Sequence, residues 1–324
     1  MITVKAPFRI SFFGGGTDFY DYYSRYGGEV LSTTIDKYCY VTLRDLPPFY
    51  EFKNQFTYSK IERFNSPEEV SHPLLRNVFQ MLPYEHLQIV YDADLPACSG
   101  LGTSSAFAVA LLQGIHAMRG EFPDKETLAR EAVHLERELC AEAGGVQDQY
   151  ATAYGGLNRF CFTKDKVSRT ALSISVPHKK MLEENLLLFF TGFARFSGEI
   201  AKQNQENISH NLATLETMKQ MVRQGEVYLE KGELDDFGRL LDESWQMKKT
   251  LAQGISGSQI DEIYSKAMAN GALGGKLLGA GGGGFLLLYV PKHRQPQVKK
   301  ALADLEFSPF HFENSGSSII INND

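Results

Sequence analysis

Cysteine is scarce in this sequence, and its spacing removes a whole class of sites. Cys39, Cys98, Cys140 and Cys161 are scattered through 324 residues with no CxxC pair. No histidines stand beside them at ligand spacing, so a structural zinc site is excluded and buried thiols are expected. Positive charge is in short supply too: 33 Lys and Arg against 39 Asp and Glu give a net charge of −6, and no overall basic field would draw the chain to nucleic acid. Apolar runs such as Leu186 to Phe190 and Phe285 to Val290 are far below the roughly 20 residues that cross a bilayer. The opening MITVKAPFRI has no basic stretch followed by an apolar one and a cleavage site, so the cytoplasm is the expected location, with no membrane and no nucleic acid as partner. Also missing are GxxxxGK[ST], a GxSxG elbow, HExxH and the HRD loop of protein kinases. Walker-type sites and the commonest hydrolase motifs are therefore excluded on pattern.

What is present is a mixture of strands and helices. The opening ITVKAPFRISFF predicts a strand broken at Pro7 and a second apolar stretch, and residues 28–45 and 86–91 carry β-branched and aromatic residues suited to sheet. AFAVALLQGIHAM is apolar around most of the helical wheel and predicts a buried helix. A second helix is predicted from an N-cap at Asp124 to Gly144 and Gly145, with Leu128, Ala132, Leu135 and Leu139 as its core stripe. VQDQYATAY predicts a short helix ending at Gly155, followed by the strand LNRFCF. The polar stretch from Thr163 to Lys180 reads as irregular and places a domain boundary near residue 175. Beyond it come a buried strand in LLLFFTGF, helices over 198–252 interrupted near Gly225 and Gly232, a helix from about Ser258 to Asn270, and the strand FLLLYV. The fold class is α+β, in two lobes.

Three glycine-rich loops punctuate this pattern, at Gly14 to Gly16, Gly100 to Gly102, and Gly279 to Gly284. Glycine allows backbone N–H groups to approach a ligand closely and supplies the positive φ angles of anion nests. The second loop opens the buried helix, so the N–H groups of Gly102 to Ser105 would point at whatever lies above the helix start. Free donors and the positive end of the helix dipole coincide there, and a nucleoside triphosphate suits such a place. Side-chain capping of the helix by Thr103, Ser104 and Ser105 is the competing reading, and the loop alone leaves both open. Gly279, Gly281 and Gly284 match GxGxxG by count. A helix precedes them and a strand follows, the reverse of the order a dinucleotide fold requires.

Together the three loops resemble the GHMP kinase superfamily. APFRISFFGGGTD (Ala6 to Asp18), PACSGLGTSSA (Pro96 to Ala106) and KLLGAGGGGF (Lys276 to Phe285) resemble its three motifs in order, over nearly the whole chain. Within it, FGGGTD followed by YYSRYGGEVLSTTIDKY, and the segment GGVQDQYATAYGGLNRF, are similar to sugar 1-kinases acting on D-glycero-D-manno-heptose 7-phosphate. The resemblance implies an N-terminal lobe of the ribosomal S5 domain 2 type over residues 1–175, a ferredoxin-like C-terminal lobe over 176–324, and ATP between them. It places the nucleotide on Gly100, Leu101, Gly102, Thr103, Ser104 and Ser105, and Mg²⁺ on the Ser104 hydroxyl and the Glu136 carboxylate. Asp148 is implied as the residue that orients the acceptor hydroxyl, beside Arg9, which would stabilise charge near the γ-phosphate. Gly14, Gly15, Gly16, Thr17 and Asp18 are implied on the sugar, Gly281, Gly282 and Gly283 near the acceptor, and Arg195 on its phosphate, for which a guanidinium fork is suited. The implied activity is phosphorylation of an anomeric hydroxyl on a sugar phosphate, a step toward nucleotide-activated heptose and surface polysaccharide. The alternatives are a kinase for another sugar, of the L-fucose or galactose type, and a silent sugar- and ATP-binding regulator of the same fold.

Overall fold

The computed structural model describes residues 1–97, 99–193 and 198–323. Cys98 and Arg195 lie outside them. Two sheets organise the molecule. The first contains β1 (Ile2–Phe13), β2 (Gly28–Asp45), β3 (Asn54–Thr57), β4 (Ile61–Phe64), β5 (Leu87–Ala93), β6 (Asn158–Phe162) and β7 (Val167–Ala171). The second consists of β8 (Leu186–Phe190), β9 (Gly274–Leu277), β10 (Phe285–Tyr289) and β11 (Glu306–Phe307), in the order β11-β8-β10-β9. The chain then returns, and β12 (Phe312–Glu313) and β13 (Ser318–Asn322) pair with β2 and β1 of the first sheet. All pairings are antiparallel except β3 with β5.

β1 does not break at Pro7. It runs through, with a shift of register against β2 between Pro7 and Phe8. A local bulge accommodates a residue that has no N–H to give to the ladder. The same strand positions the site. β13 covers the outer edge of β1 only along Ile2 to Lys5, and further on the Arg9 N–H donates to the Leu101 carbonyl at 3.0 Å. The second glycine loop thus occupies the edge that β13 leaves open.

The helix Thr103–Met118 is buried nearly all round, as its composition requires, and Gly114 lies against Leu43 of β2. Asp124 caps the next helix, accepting from the Thr127 N–H at 2.8 Å. That helix is α only over Lys125–Val133 and winds on as a π turn over His134–Leu139, short of the expected end at Gly144. The stretch from Thr163 to Lys180, read as irregular, contains β7 and the start of the helix Val176–Glu184, capped by Ser175. Periodicity was hard to see there because β7 is an exposed edge strand with little apolar alternation. Helix Leu212–Lys231 passes through Gly225 without interruption and stops at Gly232. A Cβ on Gly225 would come within 2.6 Å of the Phe13 ring, so that glycine serves close packing and not a break. Phe237, on the helix Leu234–Lys249, packs edge-on against Phe12 and Phe13, joining the two halves of the chain in one core.

Candidate active site

All three glycine loops converge where the second loop meets the end of β1. Gly102 is the N-cap of the helix Thr103–Met118, in the left-handed region at φ 76°, and no side chain caps the helix. The first-turn N–H groups are therefore left open toward the cleft above them. The Ser105 hydroxyl donates instead to Glu136 Oε2, at 2.7 Å. The helix start thus has no side-chain cap, and its first-turn N–H groups are free to cradle an anion.

Arg9, only 4% exposed, lies directly beneath the cradle. Its Nε and Nη2 donate to the two oxygens of Asp148 at 2.7 and 2.6 Å, and its Nη1 donates to the Gly100 carbonyl at 2.6 Å. A bidentate fork of this kind fixes the carboxylate plane as well as its position. A Cβ on Gly102 would stand 3.3 Å from Asp148 Oδ2 and 3.2 Å from Arg9 Cγ. The cradle and the carboxylate are thus immediate neighbours. Asp148 sits in the first turn of the helix Gln147–Tyr154.

Glu136 is fully buried on the π turn; its Oε2 also receives Gln149 Nε2, while Oε1 has no partner among the described residues. A buried carboxylate oxygen without a partner is costly unless something positive reaches it. It faces a cleft also lined by Ser104 and Ser105. These are hard oxygen donors, and they fit Mg²⁺ with water completing the shell. The hydroxyl touching Glu136 belongs to Ser105, whereas Ser104 is exposed at the cleft wall. Among the described residues no cluster of three or more His, Cys, Asp or Glu is disposed to hold a metal by itself.

Asp18 is sealed in, 1% exposed. Its Oδ1 accepts from the Gly16 N–H at 2.9 Å and its Oδ2 from the Gln147 N–H at 3.2 Å. Burial pushes its carboxyl upward from the ordinary carboxylate range, and the nearby Asp148 charge adds to the push. Thr17 is buried, its hydroxyl tied to the Gly14 and Glu29 carbonyls. Of the first loop, Gly15 and Gly16 line the cleft, while a Cβ on Gly14 would strike the Glu29 carbonyl at 1.9 Å. Leu101 is buried in the core. In the third loop only Gly279 and Ala280 face the cleft. Gly281 and Gly283 lie against Ile255 and Phe193, the Gly282 N–H donates to the Ile255 carbonyl, and Gly279 and Gly284 pack on the backbone of Gly100 and Ser99. The third loop thereby buttresses the second.

Two lysines of the cleft were not singled out from sequence. Lys276 is buried on β9 and donates to the Phe12 carbonyl at 2.8 Å. Lys248 donates to the Leu277 and Gly279 carbonyls at 3.0 and 2.5 Å. Burial, reinforced by Arg9, pushes Lys248 down to about 7. Lys276 is held well below the ordinary lysine value by burial, then by Lys248 and Arg9. A lysine inside a buried strand was a signal for Lys276; nothing local marks Lys248.

The GHMP kinase N-terminal domain model matches residues 70–156, and the GHMP kinase C-terminal model matches residues 226–306. The chain belongs to the GHMP kinase family. The D-glycero-alpha-D-manno-heptose 7-phosphate kinase of Campylobacter jejuni is 29% identical to it, over 93% of each chain. The L-fucokinase/L-fucose-1-P guanylyltransferase of Bacteroides fragilis is 28% identical over 91% of this chain and 35% of that longer protein. A solved D-glycero-D-manno-heptose 1-phosphate kinase from Bacteroides thetaiotaomicron superposes with a TM-score of 0.82 at 25% identity, covering 100% of both chains. A mevalonate kinase structure shares the fold, with a TM-score of 0.74 at 18% identity. This GHMP kinase has the family's two-domain α+β fold and is a phosphotransferase acting on a sugar hydroxyl.

Proposed function

We propose that this enzyme transfers the γ-phosphoryl group of ATP to the anomeric hydroxyl of D-glycero-D-manno-heptose 7-phosphate, giving the 1,7-bisphosphate. The nucleotide would occupy the first lobe, residues 1–175, with residues 176–324 closing over it and the terminal strands returning to the first sheet. The observation that carries this reading is the Arg9–Asp148 fork held against the open helix start. Phosphoryl transfer requires alignment and charge neutralisation more than covalent help. The cradle N–H groups receive phosphate oxygens, and the spare N–H capacity of the Arg9 side is close by to balance charge on the transferring group. Asp148 Oδ2 accepts the acceptor's hydroxyl proton as the new O–P bond forms and the bond to the β-phosphate oxygen breaks, ADP carrying the electron pair away. An anomeric hydroxyl is more acidic than an ordinary alcohol, which suits a carboxylate base. Glu136, with Ser104 or Ser105, would hold Mg²⁺, which when bound supplies positive charge to the triphosphate.

The sugar is chosen by similarity to the heptose 7-phosphate kinase, with matching lengths on both sides. The L-fucokinase relative supports a second reading, an unphosphorylated sugar as acceptor. A panel of sugars and sugar phosphates with ATP and Mg²⁺ decides between them. Turnover is expected on heptose 7-phosphate; turnover on fucose or galactose with none on the heptose phosphate would replace the first reading by the second. The further biological expectation is a cytoplasmic enzyme feeding heptose activation for surface polysaccharide. Among the described residues, no helix is long and apolar enough to cross a membrane.

A further inference from the structure

Beyond the fork, β1 carries polar groups that the mechanism does not use. Ser11 is 6% exposed and Gln147 is 9% exposed, yet Ser11 Oγ and Gln147 Oε1 have no partner among the described residues. Ser11 Oγ and the donor end of the Gln147 amide border one point: a Cβ placed on Gly15 would stand 3.7 Å from Ser11 Oγ and 3.6 Å from Gln147 Nε2. Lys276 joins them at the same cleft. Its Nζ spends one N–H on the carbonyl of Phe12, the residue after Ser11, which leaves two N–H groups for something else.

The balance of donors and acceptors identifies what that something is. Ser11 offers a hydroxyl, Gln147 an amide NH₂ and Lys276 an amine that an anion beside it would keep protonated. The carboxylate nearest them, Asp18, is already bound to the Gly16 and Gln147 N–H groups. Of the charged groups acting on Lys276, Lys248 and Arg9 are cations and Asp18 is the one anion; with Asp18 already bound, this donor-rich pocket attracts a further anion. Ser11 lies two residues beyond Arg9, about 7 Å along an extended strand. That separation matches the span from the reacting end of a pyranose to a substituent on its side arm.

We propose that Lys276, Ser11 and Gln147 form the subsite for the phosphate monoester that the acceptor already carries, with Gly15 leaving the space it fills. The proposal rests on the heptose 7-phosphate reading and assigns its distal phosphate. Bound there, the phosphate accepts from all three side chains, and its charge adds to that of Asp18 in favouring the protonated form of the buried lysine. Specificity for a phosphorylated acceptor then comes from Lys276, and the fork at Arg9 and Asp148 acts on the other end of the same molecule.

The test pairs heptose with heptose 7-phosphate as acceptors for the wild type, Lys276→Met and Ser11→Ala. Losing a charged hydrogen bond predicts that Lys276→Met raises KM for heptose 7-phosphate about 10- to 100-fold, and leaves KM for heptose and the Kd of a non-hydrolysable ATP analogue within about twofold. Ser11→Ala shifts KM in the same direction by less and guards against a folding defect in the lysine variant. Equal loss for both acceptors, or loss of ATP-analogue binding, overturns the proposal. Wild-type preference for unphosphorylated heptose overturns the substrate reading together with it. A wild type that prefers the phosphate, and a Lys276→Met that keeps this preference, overturns the subsite alone.

Discussion

Arg9 ties three parts of the site together: the strand that bears it, the Gly100 carbonyl of the cradle, and Asp148. Because both Asp148 oxygens accept from Arg9, exchanging the carboxylate for an amide removes the base and sets a donor against a donor in one arm of the fork. Asp148→Asn is expected to lower kcat by about 10²- to 10⁴-fold, the range of a general base, while leaving the Kd of an ATP analogue nearly unchanged. Unaltered turnover removes Asp148 from the mechanism. The family resemblance pointed to Arg9, Asp148 and Glu136, each inside or beside one of its motifs, and the structure brings all three to one cleft. Lys248 was not legible in the sequence, since its place depends on a helix from the C-terminal half meeting the third loop. That lysine also has a titration consequence. Its pKa drops from 10.5 to about 7 on folding, so between those values the unfolded chain holds a proton that the folded chain has released. Stability in the absence of ligand therefore rises with pH across that window and is flat with respect to this group below about 7. Urea unfolding from pH 7 to 10 should show a shallower rise for Lys248→Met than for the wild type; identical slopes would mean that the lysine keeps its proton in the folded protein.

At the scale of the element, turns place the site more than regular structure does. The turn at Gly144 and Gly145 sets Asp18: a Cβ on Gly145 would stand 1.9 Å from Asp18 Oδ2, and the Val146 N–H donates to the Asp18 carbonyl at 3.1 Å. Arg137 holds the same turn through the Glu142 and Gly145 carbonyls at 3.0 and 3.2 Å. Gly145→Ala must displace either Asp18 or the turn. Its expected effect is a raised acceptor KM with a smaller change in nucleotide affinity, measured by steady-state kinetics and titration of an ATP analogue; wild-type acceptor kinetics would show that Asp18 is not needed in its place. The buried helix Thr103–Met118, the short helix at Gln147 and the strands β1, β2, β5, β6, β8 and β10 could be read from apolar pattern and glycine stops, whereas the shorter or exposed strands β3, β4, β7, β9, β11, β12 and β13 could not. The continuation of β1 through Pro7 could not, because a bulge is a property of the strand pair. Nor could the π turn at Glu136, where the pattern of apolar residues looks the same for either winding.

Across the whole molecule, the site lies where two sheets and the returning C-terminal strands hold three loops in contact. Loop two docks on the edge of β1, loop three packs on loop two through Gly279 and Gly284, and Lys276 links β9 to the Phe12 carbonyl of β1. The division of labour follows from this arrangement: the first sheet carries Arg9, the loop that follows β1 carries Asp18, the helices beside it carry the cradle, Glu136 and Asp148, and the C-terminal half supplies the backing, Lys276 from β9 and Lys248 from the helix Leu234–Lys249. The α+β class and the order of the loops were readable from sequence, whereas the buttressing role of the third loop required seeing what its glycines touch. The central claim is that a triphosphate on the open helix start faces an acceptor held at Asp148. A crystal structure with a non-hydrolysable ATP analogue and heptose 7-phosphate tests it directly. The account predicts phosphate oxygens on the N–H groups of Gly102 to Ser105 and the anomeric hydroxyl within hydrogen-bond distance of Asp148; phosphates bound elsewhere, or a sugar hydroxyl remote from that carboxylate, would contradict it.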